Sequence, residues 1–506
     1  MGLLPFLGRN FFPQVDAGTL TLHVRGPVGM RIEETAALFQ RIEKRIRQRI
    51  PQAELESIAD NIGLPTSAIN TAYNASGTIG PQDGDIIVAL KEGHSPTEHY
   101  IRILRAELPT LFPEATFAFL PSDITSQILN FGAPAPIDIQ VSGTNPDETR
   151  QFAQRILRAI RPIDGLVDAR IQQPGHYPEL RFDADRTRIN QLGLTEGDVT
   201  SSIATSIAGT VQTAPLYWLD PHSMVTYPIA VQMPEYRISS LADVIGLPVT
   251  GVSTTQLQVL GALGTITRGT TSPVETQYNI RPLIDVFAAG DGRDLGAIAG
   301  DVQTALRRLE PDRPETVTVT LRGQYQAMTT AFSGMGFGLL GAIVLIYLLI
   351  VINFQSWTDP CIVVLALPGA LAGICWMLFA THTPLSVPAL TGAIMCMGVA
   401  TANSILVISF CREQLAEHGD ALRAALTAGG TRLRPVIMTA LAMVIGMLPM
   451  ALGLGEGGEQ NAPLGRAVIG GLLFATSASL FFVPTLFATI YDWRARRGAD
   501  GAHAHA

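Results

Sequence analysis

Hydrophobic and polar residues follow one pattern up to about residue 326 and a different pattern from Ala331 onward. In the first part, short runs that alternate between apolar and polar residues precede runs with the spacing of amphipathic helices. One example is TLTLHVRG (19–26), which is followed by EETAALFQRIEKRIRQRI (33–50). Alternation is typical of half-buried strands, and apolar residues every three to four positions are typical of helices. The pattern therefore predicts a water-exposed module followed by a membrane module.

Five apolar stretches in the second part are each long enough to cross a bilayer as a helix, which requires about 20 residues. They are residues 331–353, 361–381, 387–410, 436–455 and 467–490. Arginines cluster between the third and fourth spans and after the fifth, and positively charged residues favour the cytoplasmic side. We therefore expect the C-terminal tail, residues 491–506, in the cytoplasm and the soluble module on the opposite side of the membrane.

Strand–helix–strand units recur through the soluble part, and pairs of such units form ferredoxin-like sandwiches. Residues 180–272 interrupt the second pair and are interpreted as an inserted subdomain. Within this insert, Thr195 is predicted to cap a helix that begins near Glu196, with Asp198 three residues after the cap. The predicted fold is α+β, with ferredoxin-like βαβ subdomains, an inserted subdomain and an all-α bundle of five transmembrane helices.

The composition narrows the range of functions. The net charge of −8 argues against a nucleic-acid partner. All four cysteines lie in or beside the apolar stretches, so the soluble part has neither a disulfide framework nor a cysteine metal site. The histidines lack the spacing of a metal site, and no phosphate-binding loop occurs. We therefore predict neither an enzyme nor a bound cofactor or metal.

The chain opens with MGLLPFLGRNFFP, which lacks the basic region, the long apolar core and the cleavage site of a signal peptide. Residues 1–15 are instead interpreted as the end of a preceding transmembrane helix and a linker. We expect the chain to be part of a longer protein or to depend on a partner chain.

Several stretches resemble the second half of the resistance–nodulation–cell division (RND) efflux permeases, of the hydrophobe/amphiphile efflux type. In chain order they are FLGRNFFPQVDAG, LRFDADRTRINQLGLTEGDV, FQSWTDPCIVVLALPGALAG, GVATANSIL and TRLRPVIMTALAMVIGMLPMALG. The resemblance implies a homotrimer in the bacterial inner membrane that uses the proton gradient to export compounds. It implies three partners: an N-terminal half of the permease (on the same or a separate chain), a periplasmic adaptor protein and an outer-membrane channel.

The same resemblance divides the soluble part into three subdomains. Residues 16–134 correspond to a first porter subdomain, and residues 135–178 with 272–322 correspond to a second. Residues 179–271 correspond to a docking subdomain.

Polar residues in the third and fourth spans are the candidates for a proton pathway. Thr401, Asn403 and Ser404 lie in the third span, at a depth where polar groups serve helix packing or transport. By resemblance, Arg432 and Thr439 match positions that serve proton uptake in relatives.

Two readings of these residues stay open. Many relatives carry a lysine immediately before the asparagine, whereas this chain has Ala402. Small residues recur every four positions in this span, which favours a role in helix packing only: Gly392, Cys396, Ala400 and Ser404. Arg432 is also consistent with a cytoplasmic anchor of the fourth span.

Ile69 and Tyr73 are the substrate-binding candidates, because they lie in the stretch that matches the phenylalanine-rich loop of drug-exporting relatives. The methionines Met30, Met224 and Met233 are scattered, unlike those of metal-exporting relatives. We therefore predict small organic amphiphiles as substrates. The alternatives are a membrane-anchored binding or assembly subunit that transports nothing and a protein-export accessory of the same superfamily.

Overall fold

The computed structural model describes residues 3, 6–65, 76–130, 132–251, 257–455 and 457–503. The chain forms two compact units, one of residues 1–173 with 274–506 and one of residues 174–273.

The first unit begins with a four-stranded antiparallel sheet, which we call the first sheet. Its strands are β1 (Thr19–Arg25), β2 (Leu55–Ile62), β3 (Asp83–Leu90) and β4 (Thr116–Leu120), in the order β2-β3-β1-β4. Two helices, α1 (Ile32–Arg49) and α2 (Thr97–Leu111), contribute to the same hydrophobic core. The alternation in β1 places Leu20, Leu22 and Val24 in this core. His23 and Arg25 therefore point to the other face of the sheet.

A second antiparallel sheet, the second sheet, is built from two separated parts of the chain. Its strands are β5 (Ile137–Gly143), β6 (Leu166–Ile171), β7 (Thr276–Tyr278), β8 (Arg281–Gly290) and β9 (Val317–Gly323). The order is β7-β8-β5-β9, and β6 also pairs with β8. Helices α3 (Pro146–Ile160) and α4 (Leu295–Leu309) pack on the apolar face of this sheet. The opposite face carries its polar side chains.

The second unit contains two short antiparallel strand pairs, Tyr177–Ala184 with Gly264–Thr271 and Leu216–Leu219 with Thr226–Ile229. A third antiparallel pair consists of two strands of two residues each, Pro248–Val249 and Gln258–Val259. The longest described helix of the second unit is Glu196–Ala208. Thr195 and Asp198 form the predicted capping box at the start of this helix. Short α-helices of four to six residues among the described residues are Ile124–Leu129, Arg186–Gln191, Thr210–Thr213, Leu241–Ile245 and Leu260–Leu263.

Five helices within the described residues are long and apolar enough to cross a membrane. They are Gln324–Phe354, Thr358–Ala380, Val387–His418, Ala421–Ala451 and Ala462–Arg494, which we call the first to fifth spans. The second span consists of two helices, Thr358–Val364 and Leu367–Ala380. A π-helical turn, Ala478–Phe482, interrupts the fifth, and its last helix, Val483–His503, extends beyond the span.

The helices extend beyond the predicted spans, most clearly around Gly419. The third span continues to His418 and the fourth begins at Ala421, so most of the expected loop over residues 411–435 is helical. Alanine, leucine and arginine are strong helix formers, and a helix does not have to end where the hydrocarbon ends. Gly419, with φ 66°, ends the third span because glycine adopts this left-handed conformation without steric cost.

Burial differs among the spans. In the first and fourth spans only 6% and 11% of the most apolar stretch is buried, against 50%, 44% and 56% in the second, third and fifth. The second, third and fifth spans therefore form the packed centre of the membrane module.

Candidate functional site

Two of the third-span candidates are buried between helices. Thr401 is 4% exposed, and its hydroxyl donates to the Met397 carbonyl oxygen of the same helix at 2.8 Å. Ser404 is 1% exposed, and its Oγ lies 2.9 Å from Oγ of Ser479 in the fifth span. The Ser404–Ser479 hydrogen bond thus connects two spans in their apolar interior.

Ser479 is a residue that the sequence analysis missed. It lies in the π-helical turn Ala478–Phe482, and such turns widen a helix locally and occur frequently at functional sites. The only signal in the sequence was a small polar residue within an apolar run, and many membrane helices contain such residues for packing alone.

Asn403 lies beside these residues but differs from them in its environment. It is half-buried, and its side chain makes no hydrogen bond to any residue that the structure describes. The preceding Ala402 is exposed. The amide of Asn403 is therefore available to a partner on the open side of the third span.

The fourth-span candidates are not brought into hydrogen-bonding contact with Asn403. The Arg432 guanidinium lies over the Phe410 ring, 4.9 Å from its centroid, which links the fourth span to the third. Thr439 is exposed, and its hydroxyl bonds to carbonyl oxygens of its own helix, those of Pro435 at 3.2 Å and Val436 at 3.0 Å.

An ionic cluster at the start of the second span was also missed. Asp359 is fully buried, and it accepts a hydrogen bond from the Tyr491 hydroxyl at 2.7 Å. Its other oxygen lies 3.4 Å from Arg412 Nη1, which donates to the Phe354 carbonyl oxygen at 2.9 Å. These contacts join the ends of four spans. Asp359 lies just before the predicted second span, and its burial could not be inferred because its partners are distant in sequence.

The polar face of the second sheet contains a pair of buried carboxyl groups, Asp138 on β5 and Asp285 on β8. Asp138 Oδ2 accepts from Gln140 at 2.9 Å, and Asp285 Oδ2 accepts from Gln173 at 2.7 Å. Burial, and then the negative charge of Asp285, raises the pKa of Asp138 to about 7, and burial raises the pKa of Asp285 too. The pair lines a cavity of about 820 Å³ that also contacts Tyr278.

The substrate-binding candidates Ile69 and Tyr73 lie outside the described residues. Among the residues that are described, no group of three or more histidine, cysteine, aspartate or glutamate side chains is arranged to hold a metal ion.

A family model and two curated relatives match this chain over nearly its whole length. The model described as the AcrB/AcrD/AcrF family matches residues 1–491. The cobalt-zinc-cadmium resistance protein CzcA of Cupriavidus metallidurans is 26% identical over 492 residues, which cover 95% of this chain and 45% of CzcA. The nickel and cobalt resistance protein CnrA of the same organism is 29% identical over 504 residues, which cover 97% of this chain and 45% of CnrA.

A solved structure shares the fold. The crystal structure of a heavy metal efflux pump superposes with a TM-score of 0.80 at 24% identity, covering 97% of this chain and 48% of that chain. This chain therefore spans about half the length of the proteins that it matches.

Proposed function

Because the chain belongs to the AcrB/AcrD/AcrF family, we propose that it forms part of an RND efflux transporter of the bacterial inner membrane rather than an enzyme. The family match over residues 1–491, together with five apolar spans after a large α+β module, carries this proposal. The soluble module is periplasmic in this proposal and the C-terminus cytoplasmic. The working assembly is a homotrimer with a periplasmic adaptor and an outer-membrane channel.

We propose the three subdomains on the same basis. The strand order β2-β3-β1-β4 and the two helices of the first sheet support a ferredoxin-like porter subdomain. The second sheet with α3 and α4 supports a second porter subdomain. The separate unit of residues 174–273 supports a docking subdomain close to the predicted residues 179–271.

The chain acts together with an N-terminal half in this proposal. The matched proteins are about twice as long, and the first and fourth spans bury little of their apolar surface within the described chain. Expressed alone in an efflux-deficient bacterium, the chain should give no resistance. Co-expression with an N-terminal half of the family should restore it, and robust export by the lone chain would contradict the proposal.

Metal cations are the substrates that the comparisons favour, in place of the organic amphiphiles that the sequence suggested. CzcA and CnrA are named for resistance to cobalt, zinc, cadmium and nickel. Organic amphiphiles remain the second candidate, because the described residues contain no metal-ligand cluster and the cavity at Asp138 is partly lined by Tyr278 and Phe287.

Growth inhibition separates these two substrate classes. The complete transporter should raise the inhibitory concentrations of Co²⁺, Ni²⁺ or Zn²⁺ and leave those of cationic dyes unchanged. Protection against dyes alone would favour the organic candidates. Protection against neither class, with both halves present in the membrane, would favour an assembly subunit or a protein-export accessory.

Proton coupling would use a carboxylate of the N-terminal half. The central parts of the five spans carry no aspartate, glutamate or lysine. The amide of Asn403, which has no hydrogen-bond partner among the described residues, is suited to donate to such a carboxylate. Thr401, Ser404, Arg432 and Thr439 would support this region from the third and fourth spans.

Substitution of Asn403 tests this coupling. Loss of the donor in Asn403→Ala should raise the pKa of the partner carboxylate and move the pH profile of efflux towards higher pH. The profile is measured in vesicles that contain both halves, with Ser409→Ala, an exposed polar residue of the same span, as the control. An unshifted profile would leave Asn403 with a packing role only.

A further inference from the structure

A cavity of about 320 Å³ lies at one end of the membrane module, where the second and fourth spans end and the third and fifth begin. His382 and Ser386 line it from the connection between the second and third spans, Leu452 from just after the fourth, and Arg466 from the fifth. Leu452 is 60% exposed, so the cavity opens beside an apolar surface. The ends of membrane helices lie at the level of the lipid headgroups, and the cavity therefore lies at that depth.

The hydroxyl group of Ser386 is buried in this cavity without a partner. Ser386 is 1% exposed, and its Oγ makes no hydrogen bond within the described residues. It is the N-cap residue of the third-span helix, yet its side chain does not cap that helix. A serine in this position normally accepts from a backbone N–H of the first turn, and buried polar groups normally have partners. This hydroxyl group therefore indicates a ligand.

Two helix N-termini meet at the same cavity. The third-span helix begins at Val387, next to Ser386, and the helix Ala462–Ser477 of the fifth span contributes its first two residues to the lining. Neither helix has a side-chain cap. The first N–H groups of a helix lack partners within the helix and carry a partial positive charge. Such ends bind phosphate and other anions, so this part of the cavity favours an anion.

Arg466 adds a full positive charge to the cavity. Its Nε donates to the Ala451 carbonyl oxygen at 3.0 Å, and its Nη1 donates to Thr383 Oγ1 at 2.6 Å. Both acceptors are neutral, so these contacts hold the guanidinium group in place without neutralising it. Guanidinium groups bind phosphate strongly because their hydrogen bonds are charge-assisted. Arg466, Ser386 and the two helix ends together suit a phosphate group.

A carboxylate lines the same cavity. Glu459, in the connection between the fourth and fifth spans, is exposed and forms no ion pair with Arg466 within the described residues. Its Oε2 instead accepts from the backbone N–H of Asp16 at 3.1 Å. This negative charge would repel a simple phosphate ion. The separate charges of Arg466 and Glu459 match a ligand that carries both a phosphate and a cationic group.

We propose that this cavity binds the phosphoethanolamine headgroup of a membrane phospholipid. The phosphate contacts Ser386 and Arg466, and the ammonium group contacts Glu459. An ammonium group offers three N–H donors to the carboxylate, whereas the trimethylammonium group of a choline lipid offers none. The acyl chains leave the cavity past the exposed Leu452. The lipid site does not depend on the proposed transport function.

The test uses the full chain purified in detergent. Dihexanoyl phospholipids with ethanolamine, choline or glycerol headgroups are the probes, each added below the concentration at which it forms micelles. Binding is measured by titration calorimetry and by the midpoint of thermal unfolding. We expect saturable, stabilising binding of the ethanolamine lipid, about tenfold tighter than that of the other two, because only this lipid bonds to both charged groups. Equal affinity for the three lipids would overturn the proposal.

Soluble phosphoethanolamine distinguishes a lipid from a free metabolite. It carries the same charged groups without acyl chains, so we expect it to bind at least about tenfold more weakly than the ethanolamine lipid, since apolar burial is lost. Equal affinity of the two probes would overturn the assignment to a lipid.

Two substitutions locate the site. Ser386→Ala should weaken binding of the ethanolamine lipid about tenfold and leave the unfolding midpoint of the lipid-free chain unreduced, because the hydroxyl has no partner there to lose. Glu459→Gln should abolish the preference for the ethanolamine over the glycerol lipid. The matched control Glu417→Gln, exposed near the other end of the third span, should bind like the unmodified chain. Unchanged affinity in Ser386→Ala, or an unchanged preference in Glu459→Gln, would overturn the proposal.

Discussion

We expect Asp138 on the second sheet to make the stability of the soluble module depend on pH. The pKa of Asp138 is raised to about 7, whereas an aspartate in an unfolded chain titrates near 3.9. The folded state therefore binds more protons than the unfolded state between about pH 4 and pH 7, and the stabilisation is lost as the pH rises through this window.

Asp138→Asn should flatten this dependence. The amide keeps a similar shape and cannot ionise, so the midpoint of thermal unfolding should fall less than in the unmodified chain when the pH is raised from about 5 to 8. The exposed Asp312→Asn serves as the control and should follow the unmodified profile. Parallel profiles for Asp138→Asn and the unmodified chain would show that this carboxyl group does not titrate in the window.

A second prediction at the residue scale concerns the energy of the Ser404–Ser479 hydrogen bond. Interhelical hydrogen bonds within membranes contribute about 0.6 kcal/mol on average, so we expect a coupling of this size between Ser404→Ala and Ser479→Ala. It is measured by a double-mutant cycle of unfolding free energies in detergent. Strictly additive effects would mean that the two hydroxyl groups do not interact.

Helices of the membrane module approach one another closely where glycines face each other. A side chain at Gly373 of the second span would collide with the carbonyl oxygen of Gly470 in the fifth span, and one at Gly470 would collide with Met377. The glycines thus allow the backbones of these two spans to come into contact, as small residues do in other membrane helices.

Gly373→Ala should separate these spans and destabilise the membrane module by about 1–3 kcal/mol, the usual cost of overpacking. Gly338→Ala in the first span is the matched control, because its new methyl group would meet no atom within 4 Å. The free energy of unfolding in detergent is the measurement. Equal values for both variants would argue against the close contact.

At the scale of the whole molecule, the arginine distribution predicts which side each loop faces. His418, at the end of the third span, is expected in the cytoplasm, and Leu454, after the fourth span, is expected in the periplasm. In a Cys361→Ser background, Leu454→Cys should be labelled by an impermeant thiol reagent in intact spheroplasts. His418→Cys should be labelled only after permeabilisation, and the reverse pattern would invert the proposed topology.

The sequence by itself determined the features that depend on neighbouring residues. Apolar runs long enough to cross a bilayer predicted five spans, alternation in TLTLHVRG predicted β1, and the Thr195–Asp198 spacing predicted a capping box. These patterns are reliable because strand alternation, helix capping and transfer into lipid act within a few residues or along one segment.

Only the tertiary structure decided which distant side chains meet. Asp138 lies beside Asp285, Ser404 bonds to Ser479, and Arg25 and Arg170 line one cavity, although each pair is separated by 75 or more residues. Local spacing carries no information about such pairs, because strand order and helix packing set them. The same packing leaves two nitrogens of the Arg170 guanidinium buried without a hydrogen-bond partner among the described residues, and an arginine in the sequence gives no sign of this.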